Sequence, residues 1–129
     1  MSRNIAFGVC AAAAVVTALV LGFIEGGSPG LQRMANADIA RSRNLDSIAG
    51  AVRLYDEVHH RLPDHLEDVK VNDISLRLRD PETNTPYEYQ RLDERHYELC
   101  AVFATDASAD PPLLTHAHRA GRQCFTFPP

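Results

Sequence analysis

The sequence predicts an α+β protein: an N-terminal transmembrane helix, then an amphipathic helix packed on a small antiparallel β-sheet. Three observations carry this. Residues 5–24 hold no charged side chain. Apolar residues recur at spacings of three and four between Leu45 and Leu62. From Ile74 onward the apolar period changes to two.

The uncharged run sets the first element. Twenty residues rising ~1.5 Å each span about 30 Å, the thickness of a bilayer's hydrocarbon core. Backbone polar groups in lipid must bond internally, so the run is a helix. Val15, Val16, Leu19, Val20, Leu21, Phe23 and Ile24 give it its hydrophobicity. A cleaved signal peptide is the alternative, with Arg3 in its leading segment. The run is long for that role, and Ile24-Glu25-Gly26 puts a bulky residue where cleavage needs a small one. The expected organisation is therefore a transmembrane anchor over 1–25, a linker over 26–35 and one folded domain over 36–129. Membrane lipid is the expected partner of residues 5–24.

Gly26-Gly27-Ser28-Pro29-Gly30 is turn chemistry and marks a break. A helix is expected over 31–61. Leu45, Ile48, Val52, Tyr55 and His59, followed by Leu62, form its apolar stripe, while Arg43, Asp46, Arg53, Asp56 and Glu57 cover other faces. Asp38 and Asn44 are candidate N-caps, which would start or interrupt the helix late. Leu62-Pro63 ends it, because proline disfavours helical geometry in the residue before it. Pro63 then suits the first turn of a short helix over 63–69 that buries Leu66 and Val69.

Alternation of Ile74, Leu76 and Leu78 with Ser75, Arg77 and Arg79 predicts a short extended segment. Residues 80–86 are dense in turn formers, with Asn84 able to adopt left-handed backbone. Tyr87 and Tyr89 share one face of a strand, and Asp93-Glu94-Arg95 is a tight connection. The strongest strand runs over 96–105, with Tyr97, Leu99, Ala101 and Phe103 on one face. A long loop over 106–120 follows, then a last strand over 123–127.

At this point a family resemblance emerges. The helix stripe leading into Arg61-Leu62-Pro63, the turn Asp80-Pro81-Glu82-Thr83-Asn84-Thr85-Pro86-Tyr87-Glu88-Tyr89 and a Cys near the C-terminus carry it. Together they resemble type IV pilins and the pseudopilins of type II secretion. The resemblance implies a small assembly domain displayed outside the inner membrane. It also implies structural roles for Pro63, Asp80, Pro81, Pro86, Tyr87 and Tyr89. Pilin precursors carry their processing site before the apolar run, whereas here Gly22-Phe23-Ile24-Glu25 follows it. That order suits a permanent anchor rather than a filament subunit.

The cysteines bear on compartment. Cys10 lies in the membrane run, while Cys100 and Cys124 fall on predicted strands. Adjacent strands bring two cysteines within bridging distance, and a bridge would close a loop of about 25 residues. Such a bond persists in an oxidising space, the periplasm of a bacterium. Two free thiols in a cytosolic domain are the alternative. Arg33, Arg41 and Arg43 outnumber Arg3 and would by themselves place the C-terminal part inside. The cysteines decide for a single-pass protein of the bacterial inner membrane with its C-terminal domain periplasmic.

Six histidines raise the question of metal. His116 and His118 flank Ala117 and are the candidate pair, but no zinc-site spacing accompanies them, so no metal or other cofactor is expected. Asp106 and Asp110 offer few oxygens for Ca²⁺. Arg119 and Arg122 flank Gly121 and could meet an anion. Motifs of acyl transfer, phosphate binding and dinucleotide binding are missing, so no catalytic residue and no enzymatic activity are expected. Net charge of −4 excludes a basic nucleic-acid footprint. The expectation is a non-catalytic scaffold or interaction domain whose partners are other membrane or periplasmic proteins. A module sensing a small ligand or metal is the alternative.

Overall fold

The computed structural model describes residues 3–25, 28–72, 76–108 and 116–128. Two compact units divide the chain, Met1–Arg33 and Met34–Pro129.

Helix α1 spans Arg3–Glu25 in the first unit. Its stretch Ile5–Phe23 is long and apolar enough to cross a membrane, a property signal sequences share. Large side chains such as Phe7, Val15 and Leu19 stand exposed along it. Thr17, the polar exception, donates its hydroxyl to the Ala13 carbonyl at 2.8 Å, so it adds no unsatisfied group.

Helix α2 spans Pro29–His59. Ser28 caps it, its hydroxyl accepting from the Leu31 amide at 3.3 Å, and Pro29 takes the first helical position. The helix is continuous through Asp38 and Asn44, so neither residue is an N-cap. Both spend their side chains on tertiary contacts instead. Leu45, Ile48 and Val52 are fully buried as expected, but Tyr55 is only half-buried and His59 is exposed. The helix ends at His59 because His60 turns left-handed, with φ 54°.

The short helix lies later than expected, as a 3₁₀ helix over Leu66–Asn72. Asp68 sets its start: its carboxylate accepts from the His65 amide while its own amide donates to the His65 carbonyl. Leu66 is buried and Val69 packs against the core. Ile74 lies outside the described residues. Leu76, Leu78 and Asp80 alternate inward with exposed Arg77 and Arg79, yet the segment makes only the isolated bridge Arg79↔Pro86. Prolines at 81 and 86 lack the amide protons a longer ladder needs.

Three strands form the sheet: β1 Glu88–Arg91, β2 Tyr97–Phe103 and β3 Gly121–Phe127. Their order is β1-β2-β3, antiparallel throughout. Asp93 shapes the β1–β2 connection by accepting the Arg95 and His96 amides at 2.6 and 2.7 Å. Tyr97, Leu99, Ala101 and Phe103 face inward and form one core with Leu45, Ile48 and Val52 of α2. Leu62, Leu66, Leu76 and Tyr87 close its sides.

Candidate functional site

Among the described residues of the second unit, polar side chains gather in a buried ion cluster at the start of the α2 stripe, in the histidine segment beside β3 and on the sheet surface.

Extending the stripe back from Leu45 by four and seven residues reaches Arg41 and Asp38. Both are buried. The Arg41 guanidinium bonds Asp38 at 2.8 Å, Glu82 at 2.8 Å, and Asp80 through two nitrogens. Asp38 in turn accepts the Ala104 amide at 2.9 Å, the Thr105 amide at 2.8 Å and the Thr105 hydroxyl at 2.6 Å. Burial alone would raise the Asp38 carboxyl, but the Thr105, Ala104 and Arg41 donors outweigh it and hold the group low. The Asp80 carboxyl is likewise opposed by burial, yet Arg41 and the Thr83 and Glu82 amides bring it down to about 2. Hydrogen bonding to Asp80 raises the guanidinium in return. One cluster thus ties α2 to the 80–86 turn and to the end of β2.

Within that turn, the Asp80 carboxylate accepts the Glu82 and Thr83 amides, both at 2.9 Å. Pro81 and Pro86 are exposed, and Asn84 adopts the left-handed conformation its position demands, φ 57°. Tyr87 is buried and accepts from the Asn44 amide at 2.9 Å. Tyr89 donates to the carbonyl of buried Pro63 at 2.8 Å. Arg41 and Asp38 as a tertiary clamp are what sequence reasoning missed; the signal was their place on the stripe.

His116 and His118 occupy different environments. His116 places Nε2 2.9 Å from Asp46 and lies against Phe125 and Phe127. His118 is 2% exposed and stacks on Phe103 at 3.8 Å. Neither of its ring nitrogens has a hydrogen-bond partner among the described residues. Asp106 turns its carboxylate onto the Ser108 amide and hydroxyl, and Asp110 lies outside the described residues. Among the described residues, three ligand atoms lie within 4.8 Å of one another at Glu98, Cys100 and Cys124. Both sulfurs there are joined in the Cys100–Cys124 disulfide.

That disulfide links directly opposed residues of β2 and β3. On the same sheet face Arg122 grips Glu88 with two nitrogens and reaches the Cys100 Sγ at 3.4 Å. Arg122 is therefore occupied, while Arg119 stands exposed. A surface cleft of about 1060 Å³ near the end of α2 is lined by Asp56, His60, Arg61, Arg91, Asp93 and Arg95 among others, acids and bases intermixed. Comparison with protein families, with curated proteins and with solved structures finds no match to this chain.

Proposed function

We propose that this chain is a membrane-anchored, non-catalytic scaffold or protein-interaction domain of pilin-like architecture, displayed in the bacterial periplasm. The observation that carries the reading is α1: a helix with 19 residues long and apolar enough for a bilayer, its large side chains exposed, attached to a separately folded unit. An apolar surface of that length matches the hydrocarbon core of a bilayer. The Cys100–Cys124 bridge supports an oxidising compartment. The order of apolar helix, second helix, Asp80 turn and antiparallel sheet supports the pilin-like description.

Metal or small-ligand sensing by His116 and His118 has less support, since one ring is sealed against Phe103 and the other engages Asp46. The test is fractionation with thiol labelling. The expected outcome is a full-length chain in the inner membrane whose Cys100 and Cys124 label only after reduction. A soluble, shortened chain, or thiols that label without reductant once cells are permeabilised, overturns the reading.

A further inference from the structure

Among the described residues the strand order leaves β3 with one neighbour, β2. Which backbone groups face the open side follows from the register. Cys100 and Cys124 are directly opposed with Cα atoms 4.0 Å apart. That spacing belongs to a non-hydrogen-bonded antiparallel pair, about 4.5 Å, rather than a bonded one, about 5.5 Å. Residues alternate in direction along a strand, so Gln123 and Phe125 bond to β2, while Arg122, Cys124 and Thr126 point their amides and carbonyls outward. Among the described residues only the Arg122 carbonyl finds a partner there, the Gln123 side-chain amide at 3.0 Å.

Edges of this kind are normally guarded by charged side chains, lysine above all, or by proline, a bulge or shortness. The other edge, β1, is four residues long. β3 is seven, it contains neither lysine nor proline, and its one charged residue, Arg122, is held on Glu88. Its inward aromatics, Phe125 and Phe127, are half-buried.

We infer that β3 pairs antiparallel with β3 of a second copy of this chain, joining two three-stranded sheets into one of six strands. Only outward residues can form bonded pairs, which restricts the registers. The one that uses all three sets Cys124 opposite Cys124 of the second copy and Arg122 opposite Thr126. It satisfies every outward amide and carbonyl on both edges. It also keeps the two Arg122 side chains apart. Each Arg122 stays on Glu88 of its own sheet, so the backbone groups of the two edges carry the pairing. The pairing is isologous, as a two-fold dimer requires. The interface is narrow, and it rests on the proposed anchor for strength: confinement to one bilayer raises the effective concentration of edges.

The test uses the full chain in liposomes, in a Cys10→Ser background. Arg122→Cys and Thr126→Cys are introduced together and separately, then oxidised. Within one strand these positions lie about 13 Å apart, too far to bridge, whereas across the paired edges they are opposed. The double variant is expected to form covalent dimer at least tenfold more than either single one. Equal crosslinking by the single variants, or none by the pair, overturns the proposal. Thr126→Pro removes an outward amide that β2 does not use, so the domain keeps its melting temperature while energy transfer between labelled copies falls to the dilution control. Persistent transfer in the folded variant also overturns it; should that variant fail to fold, the cysteine pair decides. Membrane fractionation of the same samples separates this failure from failure of the anchored reading.

Discussion

Asp38 on α2 and Thr105 just beyond β2, 67 positions apart, share two hydrogen bonds through one carboxylate oxygen. The other oxygen takes the Ala104 amide and Arg41. This carboxylate closes the end of the strand where no further ladder exists to satisfy those amides. It does the work of a helix cap on a strand terminus, and the Thr105 and Ala104 donors together with Arg41 keep it charged while buried.

Asp38→Ala is accordingly expected to lose about 3 kcal/mol of stability, because it strands the buried Arg41 guanidinium and the part-buried donors of Ala104 and Thr105. Thermal melting of the wild type and variant checks this. A loss below about 1 kcal/mol would show that the cluster is not a tertiary clamp.

The same cluster makes stability depend on acid. Asp80 sits at about 2 in the fold against an ordinary 3.8. A folded-state value below the unfolded one adds stability that is fully present above pH 3.8 and is lost as pH falls toward 2. The contribution is on the order of 2 kcal/mol, with Asp38 acting in the same direction. Urea denaturation across that range measures the slope. Asp80→Asn is expected to be less stable at neutral pH and to show a shallower acid loss.

What the chain made legible follows periodicity and local turn chemistry. The apolar run, the Leu45–Ile48–Val52 stripe and the alternation of Tyr97 to Phe103 each repeat a period that one packed face imposes, so all three could be read without tertiary knowledge. Asn84 could be read because left-handed backbone is a local demand. Asp38 fits the local rule for a cap equally well, being short and polar just before an apolar stripe; its real partners lie across the fold. The extended segment after residue 75 stayed out of the sheet because its pairing depends on neighbours, not on its own alternation. His118 gave no sign of burial, since its place under Phe103 is set by how the chain returns to β3.

The turn offers a separate test of backbone demand. Asn84 at φ 57° tolerates a conformation that costs a residue such as alanine about 1 kcal/mol, and glycine nothing. Asn84→Ala is expected to destabilise by roughly that amount and Asn84→Gly to stay within about 0.5 kcal/mol of wild type. Equal losses in both variants would place the Asn84 contribution in its side chain instead.

Breaking the bridge tests how far the sheet relies on it. Cys100 and Cys124 enclose a separation of 24 residues. Replacing both by serine is expected to cost about 3 kcal/mol, chiefly by freeing the unfolded chain. Denaturant midpoints of the variant and of the reduced wild type should agree. A cost near zero would mean that the β2–β3 ladder holds this register unaided.

His118 inverts the usual expectation for a core substitution. Its ring is sealed, stacked on Phe103 with planes 18° apart, and both nitrogens lack partners among the described residues. Desolvating polar atoms without bonding them costs about 1–3 kcal/mol. Phenylalanine keeps a flat ring against Phe103 and removes the polar atoms, at the expense of slightly more volume. His118→Phe is therefore expected to raise stability by about 1 kcal/mol, read as a higher melting temperature. His118→Ala should lower it by about 2–3 kcal/mol, because the stacked ring leaves a cavity beside Phe103. A phenylalanine variant less stable than wild type would show that a ring nitrogen of His118 is in fact bonded in solution, with a water molecule as the donor or acceptor that fits so small a space.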